Sequence, residues 1–344
     1  MIQSFVSNFD STFSLIQQQN HPVTTKSQFN TSPGHFSFKT IFSTKNNQVP
    51  QKEQMKNRKK QTSKNKENIS PNAFVFPKPE KSKEKLKIPE KFFPYEYESE
   101  IYQTLIEDSK KQDYSYENIS IVQVEINHKM RSILVDWLIT LHYHFRLSES
   151  TLFLTVNLID RYISFKSIPK KKFQLLGVTS FLIATKYEEI YSPESLVLSQ
   201  MTENAASAEE ILSFESEILS LLKFNLSLPH SYDIYQFMSK RYNFDKKEFY
   251  IGLFILEGFL LDVNSTKYYP DMISEAACYL VMKFTKKVGS DIQTNLIKNN
   301  SHFRECIMDM YIYIKDIPNT NYKAIMHKFS NERFLKISEM FGKI

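Results

Sequence analysis

Met130, Ile133, Leu134, Trp137 and Leu141 recur at i, i+3, i+4, i+7 and i+11, so they share one face of a helix. Arg131 and Asp136 flank that stripe on either side. Helical periodicity of this kind predicts segments at 98–110, 128–145, 148–164, 169–187, 193–201 and 207–222. After Pro229 it predicts a second series at 231–240, 246–261, 270–287, 300–315 and 321–338. Start signals agree at several places. Ser192-Pro193 reads as a cap with proline in the first turn, and Ser207 with Glu210 as a capping box. No alternating strand pattern is visible. The pattern predicts an all-α chain: a short leading helix and two stacked units of five helices with short connections.

The first 91 residues show no sustained periodicity. They are rich in Ser, Thr, Asn, Gln and Lys with scattered prolines, a composition that buries too little apolar surface to offset chain entropy. The reading is a disordered basic tail at 1–91, a first helical unit with its leading helix at 92–226, and a second at 227–344. Charge follows the same division. The net charge is +6, from 44 basic and 38 acidic residues. The tail holds 16 and 6 of these, a balance of +10, which leaves 28 and 32, or −4, on the remainder. A basic patch on the folded part, as direct nucleic-acid binding requires, is therefore not expected.

Other chemistries are disfavoured by what the chain contains. Its six glycines, Gly34, Gly177, Gly252, Gly258, Gly289 and Gly342, form no phosphate-cradling loop. Cys278 and Cys306 are too few and too distant for a disulfide framework or a cysteine zinc site, and suit a reducing compartment. His142 and His144 diverge on a helix and read as packing or surface residues, not metal ligands. No signal peptide is expected, nor a membrane span. The most apolar run, residues 250–261, is interrupted by Glu257 and reads as a buried helix. Nothing suggests a catalytic residue, a metal or a cofactor.

Specific words in the sequence go further. MRSILVDWL (130–138), LIDRYIS (158–164), KKFQLLG (171–177) and ATKYEEIYSPE (184–194) follow in order. Together they resemble the cyclin box, more closely that of the mitotic B-type cyclins than of other branches. YYPDMISEAACYL (268–280) and YKAIMHKFSNERFLKIS (322–338) resemble helices of a second cyclin fold. The resemblance covers about residues 95–344 and implies two tandem five-helix cyclin boxes. It implies a regulatory subunit, not an enzyme, that binds and activates a cyclin-dependent Ser/Thr kinase in the cell cycle, at G2/M and mitosis. Activation of that kind means binding the state in which the kinase's glutamate-bearing helix is turned inward better than the inactive state. Competing readings are a cyclin-fold adaptor for transcription or nucleic acid, and a scaffold that binds without activating. The slightly acidic box region and the intact Lys186–Glu215 pair oppose the adaptor reading.

Residue roles follow from matching positions. Lys186 and Glu215 match the pair that grips the kinase through its backbone. Ile183, Tyr187, Phe224 and Leu226 match the apolar part of that interface, with ordinary core an equal alternative for Ile183. Arg131 and Asp160 match a structural ion pair joining the first two box helices, since a lone charge in an apolar helix is costly. Met130, Ile133, Leu134, Trp137 and Gln174 match the patch that docks Arg-x-Leu motifs of substrates or inhibitors. Leu134 is expected to turn partly inward, Met130 and Trp137 less so. Two departures from the pattern affect docking. Thr140 stands where an acid often meets the motif's arginine, with Glu203 as a substitute, and Phe173 replaces a leucine. In the tail, Lys66-Glu67-Asn68 matches the KEN degron read by the anaphase-promoting ubiquitin ligase. Arg58 is followed by Gln61, so no Arg-x-x-Leu destruction box exists there. Ser32-Pro33 and Ser70-Pro71 are candidate proline-directed phosphosites. KNRKK (56–60) reads either as a nuclear import signal or as a solvating stretch. The expected localisation is nucleus and cytoplasm.

Overall fold

Helix caps written into the sequence set several helix starts in the computed structural model, which describes residues 97–203, 205–287 and 300–342. The first set of helices is α1 (Glu98–Ser109), α2 (Tyr116–Val122), α3 (His128–Phe145), α4 (Glu149–Phe165), α5 (Phe173–Glu188), α6 (Ser195–Met201) and α7 (Ala208–Leu221). The second is α8 (Ser231–Arg241), α9 (Lys246–Leu260), α10 (Pro270–Phe284), α11 (Ser301–Asp316), α12 (Ala324–Phe329) and α13 (Ser338–Phe341). No strand occurs among the described residues. Asn127 caps α3 by accepting the Met130 N–H. Ser207 and Glu210 form the expected capping box at α7, and Asp245 with Glu248 forms another at α9.

Three sequence-based expectations are corrected. The stretch between α1 and α3, where no helix is predicted, contains α2, which starts at a Ser115 cap. Ser192 does not cap α6. Glu194 holds the cap position without a side-chain bond, and the Ser192 hydroxyl instead meets Thr185 Oγ1 at 2.8 Å. The last predicted helix is broken into α12, a short 3-10 turn at Glu332–Phe334 and α13. Leu335 and Lys336 there adopt φ of 55° and 53°, which ends any α-helix. The tail, with Lys66, Glu67, Asn68, Ser32, Ser70 and the basic run at 56–60, lies outside the described residues.

Within residues 99–344, α4 and α5 are the central helices of the first unit. Every residue of α4 from Thr151 to Ser164 is buried, as is α5 from Leu175 to Thr185. That is the behaviour of central helices, and the charged side chains of α4 are buried in ion pairs. Gly177 lets α3 and α5 close up, because a Cβ there would stand 2.6 Å from Leu134 Cδ1. The corresponding helix of the second unit is α9, buried from Ile251 to Phe259.

The core runs continuously from one unit into the other. Val135, Ile139, Leu152, Phe153 and Val156 pack in the same cluster as Ile234, Tyr235, Phe254 and Phe259. Phe153 stacks on Tyr232 with centroids 5.6 Å apart. Polar links stitch the seam. Arg131 Nη1 donates to the Leu260 carbonyl at 2.8 Å and the Ser132 hydroxyl to the Leu261 carbonyl at 2.7 Å. The Asp136 carboxylate accepts the Ala324 N–H at 3.0 Å. Lys328, 1% exposed, donates at 2.6 Å to both Glu149 of the first unit and Glu257 of the second. Burial raises Glu257 well above the usual carboxylate range. Glu149 is held low: burial opposes its charge, but the Lys328 ammonium, His142 and hydrogen bonds from Lys328 and Glu257 together outweigh it. Burial thus favours the neutral form of Glu257 while Lys328 favours the charged form of Glu149, which lowers the cost of burying the cluster.

Candidate functional site

The last turn of α5 and the middle of α7 bring Lys186 and Glu215 together. Lys186 Nζ donates to both Glu215 carboxylate oxygens, at 2.7 and 2.8 Å. The lysine side chain is 46% exposed and the glutamate 15%, so the glutamate is more enclosed than its position in the sequence suggested. The pair holds both long side chains in one geometry at a surface. Several large apolar residues on these helices or close to them in sequence are exposed. Tyr187 follows the lysine directly, Ile190 and Tyr191 follow α5, Leu196 lies on α6, Leu212 sits one turn before Glu215, and Phe224 follows α7. Ile190 and Tyr191 are 91% and 88% exposed. Exposed large apolar side chains are the kind of surface that a partner can cover. Leu226 is half-buried. Ile183 is buried at 3%, so of its two readings the core one describes its place.

The turn that presents Phe224 is unusual. Lys223 and Phe224, neither a glycine, have φ of 52° and 57°. The Phe224 N–H bonds back to the Leu219 carbonyl at 2.9 Å. Consecutive left-handed residues without glycine are costly and persist only where surrounding structure enforces them.

Arg131 and Asp160 form a two-pronged pair, Nε to Oδ1 at 2.6 Å and Nη2 to Oδ2 at 2.7 Å. Both residues are buried. Burial works against the guanidinium charge, but the Asp160 carboxylate outweighs it, and the Arg131 pKa is raised. The next residue along α4, Arg161, makes a second such pair that sequence reasoning did not single out. Its Nε and Nη2 meet the Asp113 carboxylate at 2.8 and 2.9 Å, and its Nη1 donates to the Asn225 carbonyl at 2.6 Å. The available signal was the pair of adjacent charges inside LIDRYIS. The Lys328 cluster was also missed, and its signal was Glu257 within an apolar run.

The apolar stripe of α3 is more enclosed than expected. Leu134 is fully buried and Met130 is 6% exposed, so Met130 turns inward more than expected. The stripe faces the packed interior, where Leu134 fits against Gly177. Ile133, Trp137 and Gln174 are half-buried, and Thr140 and Glu203 are exposed. Phe173 is buried. Asp136, beside Trp137, is pushed up to about 6 by burial, partly opposed by the backbone N–H groups of Ala324 and Lys323. Among the described residues no cluster of His, Cys, Asp and Glu is arranged to hold a metal ion. No described helix is long and apolar enough to cross a membrane.

Comparison with known proteins adds the following. The family model described as "Cyclin, N-terminal domain" matches residues 100–227, and "Cyclin, C-terminal domain" matches 228–341. The chain is 34% identical over 217 residues to the G2/mitotic-specific cyclin-B of Marthasterias glacialis, covering 62% of this chain and 56% of that protein. It is 40% identical over 186 residues to Cyclin-B2-1 of Oryza sativa subsp. japonica, covering 54% and 44%. The chain thus spans about half the length of the curated relatives it matches. The X-ray structure of a viral cyclin from herpesvirus saimiri superposes with a TM-score of 0.54 at 17% identity, over 62% of this chain and 96% of that one, and shares the fold.

Proposed function

The chain belongs to the cyclin family and resembles its mitotic B-type members, and from that premise we propose that it binds and activates a cyclin-dependent Ser/Thr kinase at G2/M and in mitosis. It is a regulatory subunit and performs no catalysis itself. The observation that carries this reading is the oriented Lys186–Glu215 pair within a rim of exposed Tyr187, Leu212 and Phe224. On docking, the ammonium and carboxylate exchange each other for backbone groups of the kinase, while the rim buries apolar area. Neither charge is then lost to an apolar surround, so the exchange is electrostatically cheap. The half-buried Trp137, Ile133 and Gln174 support recruitment of substrates or inhibitors carrying Arg-x-Leu motifs, with Glu203 meeting the arginine. The KEN triplet at Lys66-Glu67-Asn68 supports turnover through the anaphase-promoting ubiquitin ligase, modulated by phosphorylation at Ser70 or Ser32. The basic run at 56–60 supports shuttling between nucleus and cytoplasm.

The test is Lys186→Ala combined with Glu215→Ala. A partly exposed ion pair contributes about 1 kcal/mol to folding, whereas anchors at the centre of an interface each contribute roughly 2–4 kcal/mol to binding. The double variant should keep wild-type helix content and lose co-purification with an active kinase. Normal recovery of active kinase would remove the assigned interface. Normal recovery of inactive kinase with the wild-type chain would identify a non-activating scaffold.

A further inference from the structure

We propose that Arg161 is a positioning residue for the kinase-facing surface: it holds the strained Phe224 turn in shape, and Asp113, in the α1–α2 connection, holds Arg161. The proposal rests on the reading above that Phe224 meets the kinase.

Three observations lead to it. The turn after α7 carries two left-handed non-glycine residues, Lys223 and Phe224, and holds the phenylalanine ring 69% exposed. Local chemistry does not favour either feature. Left-handed backbone is disfavoured for residues with a Cβ, and an exposed phenyl ring gains nothing from folding. Local bonds close the turn, Lys223 N–H to the Ser220 carbonyl at 3.2 Å and Phe224 N–H to the Leu219 carbonyl at 2.9 Å, but they do not fix where the chain beyond it points. The turn's next carbonyl, that of Asn225, accepts from Arg161 Nη1 at 2.6 Å. Arg161 is 1% exposed, and its planar fork has fixed directions, so it fixes that carbonyl in space.

A buried guanidinium needs a counter-charge. Asp113 supplies it with both oxygens, at 2.8 and 2.9 Å, from a connection that includes none of the residues assigned to the kinase surface. The α1–α2 connection thus bears on the shape of that surface through one side chain, without touching the partner. Arg131, the other arginine of this kind, spends its third donor on Leu260 at the seam. The two arginines therefore divide the work: one joins the two units and the other sets the binding turn.

The experiment uses the full chain and the cyclin-dependent kinase that co-purifies with it. Arg161→Lys keeps the charge and loses the fork. Asp113→Asn is a milder, partly exposed change that serves if the first variant folds poorly. Each should weaken kinase affinity at least tenfold. In the free chain, each should also speed amide exchange at Phe224 at least tenfold while α4 amides exchange as in wild type. A double-mutant cycle with Phe224→Ala separates positioning from general damage. If Arg161 acts through the turn, Arg161→Lys changes affinity less than twofold once Phe224 is alanine. Additive losses, or wild-type affinity and exchange in both single variants, overturn the proposal while leaving the kinase reading intact if Phe224→Ala and Lys186→Ala still weaken binding. Wild-type binding by both Phe224→Ala and Lys186→Ala overturns the kinase reading and the proposal with it.

Discussion

His142→Gln isolates one buried titration and gives it a sign. His142 is 1% exposed. Its Nε2–H donates to the Ser148 carbonyl at 2.8 Å, and its Nδ1 faces Lys328 Nζ at 3.5 Å. Burial and the Lys328 ammonium push it down from 6.5 to about 4, against the opposing pull of Glu149. Arg333 pushes it down slightly further, and Glu257 shares the Lys328 ammonium with it. The folded protein therefore keeps this imidazole neutral where the unfolded chain protonates it. Its contribution to stability is present above 6.5 and is lost as pH falls from 6.5 toward 4. With those two values, the loss between about pH 7.5 and about pH 5 is about 2 kcal/mol. Glutamine can donate to Ser148 and accept from Lys328 without titrating. It should cost at most about 1 kcal/mol at any pH through poorer fit. Asp136, raised from 3.8 to about 6, acts in the opposite direction over the same range, and its contribution is common to both proteins. Urea unfolding at the two pH values, followed by far-UV circular dichroism, gives the four free energies. The drop in stability on acidification should be about 2 kcal/mol smaller in His142→Gln than in wild type. Equal drops would mean that His142 is protonated in the folded protein, and the picture of a neutral ring against the Lys328 ammonium would fail.

Three other outcomes are expected. Asp160→Asn strips the counter-charge from a guanidinium whose partner is 3% exposed, and should destabilise the chain by roughly 3–5 kcal/mol, read as a lower urea midpoint. A loss under about 1 kcal/mol would place the pair in water. Trp137→Ala should raise KM about tenfold for substrates carrying an Arg-x-Leu motif and leave a minimal peptide substrate unchanged, because docking supplies remote binding energy. Met130→Ala is unsuited to that test, since Met130 belongs to the core. Replacing Lys66, Glu67 and Asn68 with alanine should lengthen the protein's half-life in a pulse-chase through mitotic exit and leave kinase binding as it was. Disappearance at the wild-type rate would reduce the triplet to a coincidence of a lysine-rich stretch.

Much of this molecule could be read from residue order, because helix placement depends on short-range physics. The 3.6-residue period of apolar positions and the caps at Asn127, Ser207 and Asp245 act within four residues. The helices α3, α7 and α9 accordingly start where the sequence places them. The candidate site was legible for a different reason: Lys186 and Glu215 sit inside recognisable words. What the sequence left open depends on long-range contacts. Whether Met130 faces in or out, and whether Ile183 is core or surface, is decided by which helix packs over them. The end of the chain breaks at Leu335 and Lys336 although the apolar spacing continues through them. The Arg161–Asp113–Asn225 latch spans 48 and 64 positions, and the Lys328 cluster 71 to 186. Charge pairing at such separations leaves no periodic trace. It appears in the sequence only as a charge in an apolar helix that must find a partner, and only the tertiary structure says which partner it finds.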